Sequence, residues 1–525
     1  MSAAQRQIID EDEFAMAHAH YDQLVEFLRS AEGRALDHAG LEVALTERGR
    51  ELLRRLLQAQ IHSRGLGTAV GPVQGADGVA RGQQRVHDRG LSTVFGEVRI
   101  KRLSYGAPGV GSLHPLDADL KLPKEEYSLG VRRMAAQEAT KASFDLTAAV
   151  LADRTGKTIG KRQLEQLVQR AAVDYDAFYA QQTPAANTVD MADRASRADT
   201  PSGPILVITV DGKGIVMTPQ DLREPTRKAA QNEAETLDKH QHPGEKRHAK
   251  RMATVAAVYT VNPHVRTPEQ VGRNLAPVNE PVAERPLVEN KRVWASLMKP
   301  PQDVIEAGFQ EALRRDPDRK KTWVGLVDGN AKQLAVLKAL SKKHGVKMTI
   351  VMDVMHVAEY LWEASTAFYT STSPQRATWV TARLNGVLNG RAGHVAGGMT
   401  RSATLRCLSA EERKPVDTAA RYLKNHKQYL RYDRYLAAGL PIATGVIEGA
   451  CRHLVCDRMD GPARWSLKGA EAVLAMRAIG CSDHFDEYWR YHLDQEYQRN
   501  HVSAYADGNV VPIRGRAAPV LRCVK

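Results

Sequence analysis

The chain is short of cysteine, of acidic residues relative to basic ones, and of long apolar runs. Each shortage removes a class of protein. Five cysteines among 525 residues, none in a C-x-x-C pair and none before Cys407, speak against a disulfide framework and a zinc ribbon. Cys451 and Cys456 stand five apart in a predicted helix, without metal-site spacing. No apolar stretch approaches bilayer-spanning length. Met1 to Phe14 carries four acids and no apolar core, so a signal peptide is not expected. These absences predict a soluble, intracellular protein not associated with membranes.

What is present begins with charge. Lys and Arg number 74 against 61 Asp and Glu, a net charge of +13, and the pI is about 9.4. Such an excess suits a polyanionic partner, most simply nucleic acid. With 43% hydrophobic residues there is material for true cores, and about 150 residues per domain gives roughly three domains.

Residues 1–64 read as a helical region, with Leu24, Phe27 and Leu28, then Leu52, Leu53, Leu56 and Leu57, at helical spacing. Gly65 to Gly82 reads as a loop. From Leu91 the pattern turns to a strand hairpin around Gly96, with Arg99, Lys101 and Arg102 as a basic edge. Helical runs at Leu129–Thr140, Ser143–Ala152 and Thr158–Ala172 follow. The glycine turn between the last two gives a helix-turn-helix pattern with Lys157, Lys161, Arg162 and Arg170 on its polar face. Solvated helical hairpins look the same in sequence. Residues 90–182 are therefore assigned as a DNA-binding region, and Thr183 to Pro204 as a linker.

The stretch from Ile205 to Met217 organises the rest. Six β-prone residues run into Asp211, Gly212-Lys213-Gly214 follows, and a second apolar run leaves. The pattern predicts a buried strand, then a tight hairpin at the glycines. Asp211 is either a turn carboxylate or, at the end of a buried strand, a cation ligand. Pro219 to Arg251 reads as a charged loop and 262–300 as a loop with six prolines. Met252 to Val261 is a second strand. Thr322 to Asp328 and Lys347 to Asp353 repeat the theme of an apolar strand delivering an Asp. Residues 364–438 read as helical, with loops around Gly390 to Gly398, and Glu448 lies on a late helix with an apolar opening. Trp362 and Trp465 are expected in the core, and the tail 502–525 is expected to be disordered.

Carboxylates from neighbouring strand ends and a facing helix can hold two Mg2+ ions about 3.5–4 Å apart, the arrangement that serves in-line phosphoryl transfer. The order strand-Asp211, strand-Asp328, helix-Glu448 resembles the DDE transposases and integrases. More narrowly, Val210-Asp211-Gly212-Lys213-Gly214, the run Asp353 to Trp362 with His356, and the run Gly445 to Val455 with Arg458 resemble bacterial insertion-sequence transposases of the ISKra type. Gly461 to Trp465 and Gly469 to Ala472 fit the same family, and the resemblance spans roughly 90–490.

The resemblance implies an α/β, RNase H-like mixed sheet flanked by helices over 204–490, with an inserted all-α region at 364–438 and a mostly helical N-terminal DNA-binding region. It implies Asp211, Asp328 and Glu448 as catalytic and metal-binding residues, with two Mg2+ ions or Mn2+ in their place. Asp353 is the rival second acid; otherwise Asp353 and His356 form an accessory Asp-x-x-His element, and Lys213 a phosphate contact. Arg452 either pairs with Glu448 or contacts DNA, and Arg458 is a further DNA contact. The implied activity is cleavage at terminal inverted repeats and strand transfer into target DNA, by a homodimer or larger assembly. A nuclease without strand transfer and a non-catalytic, transposase-derived DNA-binding protein are the alternatives.

Overall fold

A computed structural model describes residues 13–181, 203–236, 248–274, 286–461 and 463–514. The chain forms two compact units. One comprises residues up to Asp174 together with those from Asp486 onward; the other is Tyr175–Phe485. No helix among the described residues is long and apolar enough to cross a membrane.

The first unit starts with helices α1 (Ala15–Arg29) and α2 (His38–His62). A three-stranded antiparallel sheet follows: β1 (Gln83–Thr93), β2 (Gly96–Ala107) and β3 (Val110–Leu113). The hairpin is longer than its hydrophobic alternation suggests, because the first half of β1 is exposed and polar. Arg102 departs from the expected basic edge: it turns inward with Arg89 onto the buried Asp117. Arg99 and Lys101 remain exposed.

Helices α3 (Leu129–Lys141), α4 (Phe144–Thr155) and α5 (Lys161–Ala171) come next. Gly156 ends α4 in the left-handed region, and α5 is capped at Gly160, not Thr158. Val131, Ala135, Leu151, Leu164 and Leu167 pack these helices together. The C-terminal helix Phe485–Asn500 supplies His492 and Glu496 to a buried network. There Arg132 pairs with Glu125 and Glu496, and Asp174 takes His492 and Arg499.

The tail does not follow the expected disorder as far as Arg514. Tyr505 and Ile513 are buried in the clusters around Tyr105 and Ile100, and they bridge to Gly75 and Ala69. Residues 515–525 lie outside the described residues, as does most of the linker.

The second unit is built on a mixed five-stranded sheet. Its strands are β4 (Ile205–Val216), β5 (Lys250–Val261), β6 (Val288–Ser296), β7 (Thr322–Val327) and β8 (Met348–Met352), in the order β6-β5-β4-β7-β8. The first three are antiparallel neighbours; β7 and β8 run parallel to β4. Helices α6 (Pro301–Arg315) and α7 (Ala331–Lys343) make the crossovers into β7 and β8.

Three expectations change here. The Gly-Lys-Gly hairpin does not form: β4 runs unbroken through it, paired with β5 from Ile205 opposite Val261 to Val216 opposite Lys250. Neither glycine takes a positive φ. They make room instead, since a Cβ on Gly214 would meet Lys250 Cδ at 3.1 Å and Met252 Sδ at 3.3 Å. The presumed loop 262–300 contains β6 and a helix at Pro268–Asn274. The charged segment after β4 contains a helix at Glu224–Thr236, and 237–247 lie outside the described residues.

The helical region after β8 comprises α8 (Val354–Ser365), α9 (Pro374–Leu388), α10 (Ala392–Leu405) and α11 (Ala410–His426); the loop expected around Gly390 to Gly398 shrinks to a turn at 389–391, and α10 runs through Gly393, Gly397 and Gly398. Then come α12 (Gly445–Ala450), running directly into a π-helical turn at Cys451–Cys456, and α13 (Leu467–Cys481). Trp465 is buried as expected, but Trp362 is 42% exposed, with Arg376 over its ring at 5.4 Å.

Candidate active site

Strand register places the three aspartates. Thr209 on β4 lies opposite Leu326 on β7, and Leu326 lies opposite Val351 on β8. Asp211, Asp328 and Asp353 each stand two residues beyond that row. They therefore reach one edge of the sheet, on neighbouring strands spaced about 4.8 Å apart.

Their environments differ. Asp211 stays within the β4–β5 ladder, opposite Val255, and is half-buried. Asp328 sits just past the end of β7, also half-buried, and its Oδ1 accepts the Asn330 N–H at 2.8 Å. Asp353 is 3% exposed and caps α8. Its carboxylate accepts backbone N–H groups from Met355 at 3.2 Å, His356 at 3.2 Å and Thr444 at 3.1 Å. That carboxylate accepts three backbone N–H groups of the about four bonds it can take, whereas Asp328 accepts one hydrogen bond and Asp211 two, which leaves both more lone pairs for a ligand.

The Asp353 bond to Thr444 also fixes the start of α12. From there the Thr444 hydroxyl donates to Glu448 Oε1 at 2.8 Å. Glu448 is exposed and takes this bond in place of an ion pair with Arg452, which is also exposed. The helix axis continues over β4, where the Cys451 thiol donates to Asp211 Oδ2 at 3.2 Å. Burial first, then the Asp211 charge, pushes the Cys451 thiol far above the ordinary range, so it is protonated. The other Asp211 oxygen accepts its neighbour Gly212 N–H at 2.6 Å.

Thus Asp211 and Asp328 stand at the ends of neighbouring strands, and the helix that bears Glu448 packs against β4 and β5 and is tied to Asp353 and Asp211 through Thr444 and Cys451. No group of three or more His, Cys, Asp or Glu side chains among the described residues closes to metal-holding geometry. The donor set is nonetheless chemically suited to a hard divalent cation: two accessible carboxylates, and a third that is held by one hydroxyl.

Lys213 points to the helix end. Its hydrogen bond to the Cys456 sulfur, with Asp460 among the further causes, moves its pKa upward. The His356 ring pairs with Glu359 at 3.0 Å and meets Tyr360 edge-on. Arg458 stacks over Trp465 at 4.6 Å, and burial, then Arg477, lowers its pKa to about 10. In the first unit Lys157 bonds Ser92 and Glu97, and Lys161 pairs with Asp145 at 2.6 Å. Arg170 pairs with Glu125, while Arg162 is exposed.

Two features escape the residue pattern. Thr444 and Cys451 anchor the Glu448 helix to two of the acids; their spacing of four before and three after Glu448 was the available signal. The other is a cleft of about 350 Å3 beside Asp328, walled by His356 and Tyr360 of α8 and by Tyr422 and His426 of α11.

No family model matches the chain, and no curated protein matches it. Among solved structures it is similar to the Drosophila P element transposase strand transfer complex. The match has 9% identity and a TM-score of 0.21, over 73% of this chain and 83% of that one. A likeness of that extent fixes neither fold nor activity.

Proposed function

We propose that this chain is a DNA transposase of the insertion-sequence kind, with an RNase H-like catalytic unit at Tyr175–Phe485. The observation that carries the proposal is the register row: Asp211 and Asp328 on neighbouring strands at one end of the sheet, with the helix bearing Glu448 packed against β4. The sheet order, with the first strand central, the second and third on one side and the fourth and fifth on the other, supports the RNase H-like assignment.

Asp211 and Asp328 would hold a divalent cation, and Glu448 would complete the set on releasing Thr444. When bound, the cation pair supplies charge neutralisation at the scissile phosphate and acidifies a water. The protein's own part is positional. The β4–β5 ladder holds the Asp211 main chain, the end of β7 presents Asp328, and the buried Asp353 pins α12 through Thr444. The reaction would release a 3′-hydroxyl at an element end and then join it to target DNA, with the exposed Arg99, Lys101, Arg162 and Arg452 contacting phosphates.

The test is Asp211→Asn in the full chain, with a supercoiled plasmid carrying the coding region and its native flanks. Mg2+-dependent nicking should fall by at least about a hundredfold while DNA affinity is unchanged. Nicking that survives the substitution refutes the assignment.

A further inference from the structure

The cleft beside Asp328 has two kinds of wall. One is aromatic. Tyr360 stacks on Tyr422 with ring centroids 4.2 Å apart, and Tyr422 meets His426 at 4.5 Å. Tyr422 is buried and its hydroxyl donates to the Asp328 carbonyl at 2.9 Å, so the stack is bolted to the residue that follows β7. Gly329 lets it sit that close: its φ is +104°, and a Cβ there would meet Tyr422 Cε2 at 2.9 Å. Tyr360 and His426 are half-buried and line the opening.

The other wall is polar. Arg421 and Asn425 lie on the same helix one turn apart, both exposed and both lining the cleft. A carboxamide offers a donor and an acceptor together, and a guanidinium suits a phosphate. An aliphatic ligand would make no use of these groups, and a bare phosphate would make no use of the aromatic wall. A planar heterocycle carrying a phosphate uses both. The volume is at the small end of ligand pockets, enough for one nucleotide.

We propose that this cleft receives one unstacked nucleotide of DNA next to the scissile phosphate. The base extends the Tyr422–Tyr360 stack, Asn425 reads its edge, and Arg421 takes the flanking phosphate. The inserted helical region would then serve the reaction by holding a nucleotide out of the duplex beside Asp328. The placement of the scissile phosphate rests on the catalytic role proposed for Asp328; the base pocket itself does not.

The experiment uses the full chain in EDTA with a short single-stranded oligodeoxynucleotide carrying one iododeoxyuridine, irradiated at long wavelength and mapped by peptide mass spectrometry. The cross-link is expected on Tyr360, Tyr422 or His426. Tyr360→Ala should reduce its yield and weaken binding by at least about fivefold, the loss of one base stack. Tyr360→Phe, which keeps the ring, should retain both. Cross-links confined to other parts of the chain, or a yield unmoved by Tyr360→Ala, overturn the proposal. Asp328→Asn separates the two claims: it should keep the cross-link and lose Mg2+-dependent cleavage. A retained cross-link with retained cleavage supports the pocket while refuting the catalytic role of Asp328. A lost cross-link in the wild-type chain with intact cleavage refutes the pocket alone.

Discussion

Asp328 and Asp353 leave neighbouring strands in the same register, but the fold spends one carboxylate and leaves the other open. The difference predicts opposite phenotypes. Asp353→Ala removes the cap of α8 and strips the buried Thr444 N–H of its acceptor, for a combined cost of about 2–4 kcal/mol. Asp328→Asn, at a half-exposed position with one local bond, should change stability by no more than about 0.5 kcal/mol. Urea denaturation of the two variants checks this. Equal loss of stability would mean that Asp328 is structural as well. The same comparison explains why sequence alone left the two acids in competition. Both end apolar strands before a helix, and what distinguishes them, the burial of Asp353 and its bond to Thr444 ninety-one positions away, is made only in the fold.

At the scale of elements, β6 and α6 are joined by a buried charge cluster. Glu311 accepts from Arg292 at 2.8 Å and from Arg314 and Arg315, each at 2.6 Å, with Tyr179 stacked on Arg292 at 3.4 Å. Burial alone would raise the Glu311 pKa, but Arg292, Arg315 and Arg314 outweigh it and hold the carboxyl well below the ordinary range. A carboxylate with a depressed folded-state pKa adds stability above its unfolded value, about 4.3, and loses it as the pH falls further. The second unit should therefore weaken progressively below about pH 4.3, and Glu311→Gln should flatten that dependence. The substitution should cost about 3–5 kcal/mol at neutral pH by leaving Arg292 uncompensated. Thermal melts across pH, with and without the substitution, measure both effects.

This cluster also marks what could not be read in advance. The six prolines of 262–300 made β6 look like a loop although none falls within 288–296, and the polar run Glu289 to Arg292 hid the strand, because an edge strand exposes its first half and Arg292 finds its partner only in the fold. Asp-Gly-Lys-Gly made β4 look like a hairpin, because turn chemistry is local and the β5 ladder that overrides it is not. The strands at 252–261, 322–327 and 348–352 were legible because their composition is apolar and β-prone; the first two are almost wholly buried, while 348–350 are half-buried. The helix carrying Glu448 was legible too. The contacts that pin it, through Thr444 and Cys451, were not.

At the scale of the whole molecule, the last described residues belong to the first unit. Truncation after Asn500 removes Tyr505 and Ile513 from their clusters. The burial lost is about 1.5–3 kcal/mol for each side chain. The first unit should then melt earlier, while the melting of the second, which these residues do not build, is unchanged. Limited proteolysis of the truncated chain distinguishes that outcome from a uniform loss. The net charge of +13 acts over the molecule in a different way: it favours polyanions without sequence preference, so the binding to DNA proposed above should fall steeply with salt.

The central claim is that Asp211, Asp328 and Glu448 serve strand transfer and not hydrolysis alone. Its most direct measurement incubates the chain with a cut element end bearing a free 3′-hydroxyl, a target plasmid and Mg2+, and sequences the products. The account predicts covalent joints between that 3′ end and target DNA, absent in EDTA and absent in each of Asp211→Asn, Asp328→Asn and Glu448→Gln. Hydrolysed ends without any joint, or joints formed undiminished by the three variants, would contradict it.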